Sequence, residues 1–390
     1  MPLFDFKNEG RLKIIATHLL QLMSMCWLLA KLISWKLWIA QRVFPLIPIK
    51  DWIVFPSWLH LLLFGFSLLM LLLLFLKQHH RLILYGLFIA EIISCIADQN
   101  RWQAWEYQYL FMLLLYLLNK SNYQKIITGI TFIMAASYFY SGLGKMNESF
   151  LITIWDEMVL KKIIHLNAAS IQQSCIHYVG YFIALIECLL AVLLFFKPTQ
   201  KVASVLLIIM HLLILFLLGP FGLSFNKVVW PWNLMMIGML YFIFIKNKFA
   251  ALNSKVLLQG WSKLVLIFWG IAPALNYVQL WDNNFSCRFY SGNTPQMIIC
   301  FNNSIIESQL KPYVSKRNQY ALCNNKQLIN IQAWAMKEMQ VPAYPEISMY
   351  KKIKNYLIKN KELTNAVFIF YLPADENNKL RVLEVPLFFQ

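Results

Sequence analysis

Charge is scarce in this chain. Of 390 residues only 14% are Asp, Glu, Lys or Arg, and the acids number 18 against 35 basic residues. A soluble surface on a chain this long needs roughly a quarter of its residues charged, so a water-soluble globular protein is excluded. A cleavable leader is not expected either, because Asp5 and Glu9 interrupt the basic region and no small-residue cleavage site follows; insertion is expected to use the first spans. The seven cysteines show no metal or redox spacing. No basic, aromatic-interleaved module stands out, so the net charge of +17 is not a nucleic-acid footprint. Internal repeats and low-complexity segments are also missing.

Apolar residues fill the chain instead: 59% are hydrophobic and 16% aromatic, with a mean hydropathy of +0.54. They come in runs of membrane length. Trp58 to Leu76 holds no Asp, Glu, Lys or Arg over 19 residues, enough to cross a hydrocarbon core of about 30 Å. About nine spans are expected, at 13–33, 58–76, 82–98, 106–119, 126–144, 176–196, 202–222, 229–245 and 259–280. The first is weakened by His18 and Lys31, and 106–119 is short. The stretch after the first span, with Lys36, Arg42 and Lys50 among Trp, Ile and Phe, reads as an interfacial amphipathic segment.

Loop charge predicts the orientation. The connections 77–81, 120–125, 197–201 and 246–263 carry ten Lys/Arg and no Asp/Glu, whereas 98–106, 145–175 and 219–228 carry five of each sign. The positive-inside rule places the first set and the N-terminus in the cytoplasm. The second set and the tail are then expected on the far side.

From Trp281 onward Asn, Lys and Gln become frequent. Phe285–Tyr290 and Gln296–Phe301 read as a hairpin around Ser-Gly-Asn-Thr-Pro. Gln332–Met339 and Tyr350–Lys359 read as helices, parted by Pro342 and Pro345. Ala366–Leu372 and Leu380–Val385 read as a second hairpin. The expected architecture is an all-α polytopic membrane bundle over 1–280, with a small α+β extramembrane domain over 281–390. If Cys287 and Cys300 face each other across the first hairpin they could form a disulfide in an oxidising compartment; with Cys323, the tail has three cysteines and one is left over.

Ionisable groups in hydrocarbon need a partner or a cavity. Asp98, Arg101, Glu106, Lys145, Glu148, Asp156, Glu157 and His165 gather at the outer span ends, Glu91 and Glu187 lie deeper, and His211 sits in an apolar run. Asp98 with Arg101 reads as an interfacial ion pair, and the acids at 148, 156 and 157 read as a solvated loop. Glu187, His211 and His60 read as paired structural residues. Lys145 ends the apolar run that begins near Ile126, between Gly142, Gly144 and the polar tips of Tyr138 and Tyr140. Two readings stay open for it: an interfacial anchor that snorkels, or a partly desolvated base.

The run Tyr138–Phe150 resembles the block aromatic-x-x-Gly-x-x-Lys-x-(Asn/Asp)-x-x-(Trp/Phe) of the horizontally transferred transmembrane (HTTM) family, which includes vitamin K-dependent gamma-glutamyl carboxylase. His211–Phe244, with Gly219-Pro220-Phe221-Gly222 and Trp230-Pro231-Trp232-Asn233, resembles a later block of that family. The tail, with Trp334-Ala335-x-x-Glu338 and Val341-Pro342-x-Tyr344-Pro345-Glu346, is similar to those of HTTM and DoxX-type proteins of Gram-negative bacteria.

The resemblance implies a bundle of about nine helices with an outer-face site. Lys145 stands where the second of two adjacent family lysines is the catalytic base, and Gly144 replaces the first. Tyr107 stands where the carboxylase has a histidine, within expected hydrogen-bond reach of Lys145. Asp98, Arg101, Tyr140, Gly142, His165, His211 and Trp232 are the expected substrate-binding positions, a quinone or hydroquinone the expected cofactor or ligand, and the bacterial inner membrane the expected location with the tail periplasmic. The large lumenal region of the carboxylase has no counterpart, so carboxylation of protein glutamates does not carry over. Three functions follow as expectations: a membrane enzyme using Lys145 on a quinol or other lipid-like substrate, a DoxX-like quinone-binding subunit without catalysis, or an envelope protein that docks a partner through residues 281–390.

Overall fold

In hydrocarbon every backbone N–H and C=O must be satisfied within the chain, so runs of Leu, Ile, Phe and Met become helices. The computed structural model describes residues 6–77, 80–120, 122–247, 254–301, 309–315, 323, 327–361, 363, 366–373 and 381–384. Nine principal helical elements precede the tail: α1 (Phe6–Ile33), α2 (Ser57–Lys77), α3 (Arg81–Ala97), α4 (Ala104–Asn119), α5 (Tyr123–Gly144), α6 (Val179–Leu193), α7 (Gln200–Leu218), α8 (Val229–Leu240) and the stretch α9 (Gly260–Val278).

Among the described residues seven helices are long and apolar enough to cross a membrane, not nine. The two expected spans that fall short are helical, but α3 has 17 residues and α4 only 16. Helix α4 is buried almost throughout, as a helix apolar on every side should be when other helices surround it. The uncertain first span is instead a 28-residue helix. Its Lys31 is fully buried, lies 2.7 Å from Glu91 and stands 3.0 Å over the Trp38 ring. That partner and the cation–π contact are what allow a lysine there.

Close crossings use glycine. A Cβ at Gly238 of α8 would lie 2.4 Å from Leu22 of α1, and one at Gly142 of α5 would lie 2.7 Å from the Ala184 carbonyl oxygen of α6. In a membrane, where burial alone drives no association, such small-residue contacts set which helices meet.

The tail holds an antiparallel sheet of β1 (Gln296–Phe301), β2 (Gln327–Asn330), β3 (Val367–Leu372) and β4 (Arg381–Glu384) in the order β2-β1-β3-β4, with helices α10 (Ile331–Met339) and α11 (Ile347–Lys361). Ile299 is opposite Ile329 on one side and Phe368 on the other. The second expected hairpin is present as β3–β4, although its turn at 374–380 lies outside the described residues.

The first hairpin is not formed. Residues 284–286 make a 3₁₀ turn, and Cys287 and Tyr290 have positive φ of 55° and 52°. Burial outweighed strand patterning here: the Phe285 ring sits 4.6 Å from that of Tyr107 and 5.5 Å from that of Trp102. The cystine is correspondingly Cys300–Cys323, not Cys287–Cys300. Cys287 is a buried free thiol 3.8 Å from Ser137 Oγ.

The tail is seated on the bundle by polar contacts to the segment after α1. Glu338 accepts from the backbone N–H groups of Val43 and Phe44 at 2.7 and 3.0 Å and from Trp334 Nε1 at 2.8 Å. Lys352 donates to the carbonyls of Pro48 and Ile49 at 3.1 and 2.8 Å. One apolar core runs from the helices through Phe44 and Trp334 into the sheet. The expected interfacial segment at 34–56 is thus partly internal, with Leu37 and Trp38 buried and Trp52 exposed.

Candidate functional site

Helix α5 ends at Gly144 because Asn147 takes over its last carbonyl. The Asn147 amide donates to Gly144 O at 2.7 Å and to Ser291 O at 3.1 Å, while its oxygen caps the Phe150 N–H at 3.0 Å. Lys145 follows immediately, and its Nζ donates to Ser141 Oγ at 2.8 Å and Glu187 Oε2 at 2.5 Å. The pair is mostly withdrawn from solvent, with side-chain exposures of 15% and 7%. Its origin lies one turn away on both helices. Gly142 lets α6 approach at Ala184, and Lys145 and Glu187 each lie three residues on, along the same helix faces.

Tyr138 and Ser141 share the Lys145 face of α5. The Tyr138 hydroxyl is 2.8 Å from His211 Nε2, and His211 Nδ1 is 2.6 Å from Asn233 Oδ1. Asn233 Nδ2 donates to Val229 O at 2.6 Å, which leaves Oδ1 to accept. The network therefore assigns the proton to His211 Nδ1, and Nε2 accepts from Tyr138.

Both clusters open on one cavity of about 290 Å³ between α5, α6, α7, α8 and the stretch 150–163. Lys145, Glu187, Ser141, Tyr138, His211 and Asn233 are among its polar lining, and Ile154, Met158, Met210, Leu213 and Ile214 supply hydrocarbon. The volume lies just below the range common for small-molecule sites, about 300–1,000 Å³. Trp232 also lines it, anchored by its Nε1 to Gln108 Oε1 at 2.5 Å. Tyr290 closes one corner and accepts from Asn226 Nδ2 at 3.0 Å; burial pushes its phenol up to about 12 and that of the nearby Cys287 thiol likewise. Neither ionises near neutrality.

Of the sequence-predicted positions, Lys145, His211 and Trp232 line this cavity, and Gly142 shapes the crossing beneath it. Tyr107 does not join them. Its ring stacks on Trp269 at 5.0 Å and its hydroxyl has no hydrogen-bond partner among the described residues. Tyr140 turns away to donate to Gly270 O. His165 is exposed with φ 62°.

Asp98 and Arg101 do pair, as the sequence suggests, but within a separate, fully buried cluster. Arg42 is the nearest cation to Asp98, and Arg101 lies 4.0 Å from it. Arg101 also donates to the carbonyls of Leu37, Ser94 and Trp38 and meets His60 Nδ1 at 3.0 Å. The acids after α5 are not a free loop either: Asp156 lies 2.7 Å from His177 Nδ1, and Glu157 pairs with Lys161.

Sequence reading passed over Glu187 and Asn233 as functional positions. One lysine and one glutamate, each isolated in an apolar run, were the available signal for the first, since each lowers the other's burial cost. Among the described residues no group of three or more His, Cys, Asp or Glu is placed to hold a metal ion. No protein-family model, curated protein or solved structure matches the chain.

Proposed function

We propose that this chain is a multi-pass membrane enzyme of the HTTM type that takes the headgroup of a quinol or another lipid-like substrate into the Lys145 cavity, with Lys145 as general base. The observation that carries the reading is the lining of that cavity, where an ion pair and a His–Asn–Tyr chain face hydrocarbon side chains. An amphiphile with a hydroxylated ring meets both surfaces at once. Lys145 accepts the proton of a headgroup hydroxyl after passing its own to Glu187, whose Oε2 lies 2.5 Å away. Tyr138, its hydroxyl oriented by His211, keeps an oxygen lone pair to accept from a second headgroup hydroxyl, and Trp232 presents a ring edge or face to the ligand. Gly144 stands in place of the first family lysine, and the side chain packed over it is that of Arg288, whose Cγ would be 3.4 Å from a Cβ there.

The placement we infer is the bacterial inner membrane with the cavity end and tail periplasmic. Loop charge supports it, and so does the Cys300–Cys323 disulfide, a bond that persists in oxidising compartments. A second reading is favoured by the ion pair itself: Lys145 is already engaged by Glu187 at 2.5 Å and by Ser141, an arrangement suited to a DoxX-like subunit that binds a quinone without reacting with it.

The test common to both is extraction. The full chain purified in mild detergent is expected to release a quinone or isoprenoid in near-stoichiometric amount, whereas Ile214→Trp, which fills the cavity with an indole, releases at least tenfold less. Equal amounts from both proteins count against any ligand in this cavity.

A further inference from the structure

A second cavity, of about 450 Å³, opens where the tail meets the segment between α1 and α2. Phe44, Ile47 and Val54 give it apolar walls, and Arg42, Lys352 and Lys359 give it positive ones. Lys352 and Lys359 stand seven residues apart on α11, hence on one face. The charged side chains facing the cavity are these three and Asp51, a formal balance of +2, with His60 also on the wall. Behind it, Asp98 is already matched by Arg42 and Arg101.

These cations differ in what they have left to give. Arg42 spends its guanidinium on Asp98 and the carbonyls of Leu37, Phe44 and Pro45, and Lys352 spends two of its three protons on Pro48 and Ile49. Lys359 is exposed and makes no hydrogen bond or ion pair with the described residues; the Asn355 amide beside the same opening is exposed as well.

Depth decides the ligand. The apolar helix α2 begins at Ser57, immediately after the cavity wall, and Trp52 and Trp58 flank this point at 81% and 64% exposure. Exposed tryptophans at the end of an apolar span mark the membrane interface. Leu61 and Leu62, next along α2, are 55% exposed and offer hydrocarbon directly below. A basic pocket at that level, with an apolar track leading away, fits an anion that carries acyl chains.

We propose that this cavity binds the phosphate headgroup of an anionic phospholipid, with Lys359 and Lys352 on the phosphate, Asn355 on its ester or glycerol oxygens, and the acyl chains along Leu61 and Leu62. The site is independent of the Lys145 cavity.

The experiment is native mass spectrometry of the full chain in detergent with added phosphatidylglycerol, phosphatidylcholine or inorganic phosphate. Wild type is expected to retain phosphatidylglycerol over phosphatidylcholine, and millimolar inorganic phosphate does not displace it. Lys359→Gln weakens retention about fivefold, one interfacial cation's worth, and Lys359→Gln with Asn355→Asp weakens it further. Both side chains are exposed, so an unchanged thermal unfolding profile is expected for the variants. Retention by Lys359→Gln equal to wild type overturns the site, as does equal retention of the two lipids. Displacement by inorganic phosphate overturns the lipid as occupant and leaves a free-phosphate pocket.

Discussion

Lys145 and Glu187 show how two costly residues stabilise each other. Either one alone, at 15% and 7% exposure, is a charge with little water around it. Together they form a charge-assisted hydrogen bond of 2.5 Å, and Ser141 takes a second ammonium proton. The singles Lys145→Met and Glu187→Met are each expected to destabilise the purified chain by about 1–3 kcal/mol, because each leaves an uncompensated charge. The double variant is expected to be more stable than the sum of the two losses predicts, with a coupling of roughly 1 kcal/mol or more. Thermal unfolding of all four proteins in one detergent measures it, and strictly additive losses mean that the pair is not a pair. Lysine 145 was legible in the sequence because it ends a long apolar run beside glycine. Its partner was not, since the two are 42 residues apart and meet only through the α5–α6 crossing. Tyr107 shows the reverse: position in a motif pointed to Lys145, but a large aromatic ring gains more by stacking on Trp269 and packing against Phe285 than its hydroxyl gains at a polar cluster.

That crossing rests on Gly142. A Cβ there would sit 2.7 Å from both the Ala184 carbonyl oxygen and Cys188 Sγ, and backbone cannot swing aside as a side chain can. Gly142→Ala is expected to cost about 1–3 kcal/mol by overpacking and to draw Glu187 away from Lys145. Gly65→Ala in α2, where nothing lies within 4 Å, is the control and is expected to be neutral or stabilising, since alanine favours a helix by about 1 kcal/mol over glycine. Equal melting temperatures for the two variants contradict the close crossing. The helices themselves were readable from long apolar runs, and α10, α11, β3 and β4 from their periodicity and breakers. What failed was Phe285–Tyr290. Its alternation of apolar residues was strand-like, but Phe285 is buried against Tyr107 and Trp102, and Cys287 and Tyr290 turn the chain. A contact with residues nearly 180 positions away leaves no local mark.

Bundle and tail share one apolar core, and the hydrogen bonds of Glu338 and Lys352 to the backbone at 43–49 seat the tail on the bundle. Both cavities therefore have walls that no single segment supplies: Phe289 and Tyr290 from the tail complete the Lys145 cavity, and α11 completes the basic one. A helical membrane bundle followed by a mixed tail was foreseeable from composition and hydropathy, although nine spans were expected where seven described helices have membrane length, and Cys287–Cys300 where the disulfide is Cys300–Cys323; the closing of the cavities by the tail was not, because it depends on how two differently composed regions dock. The chemistry proposed for the larger assembly comes down to whether Lys145 moves a proton. The decisive measurement is an anaerobic titration of a soluble hydroquinone into the full chain, following absorbance of the hydroquinone anion against pH. Wild type is predicted to hold the ligand as its anion at a lower pH than free hydroquinone ionises, and Lys145→Met to bind it but leave it neutral until the free-solution range. The same ionisation curve in both proteins contradicts Lys145 as the base.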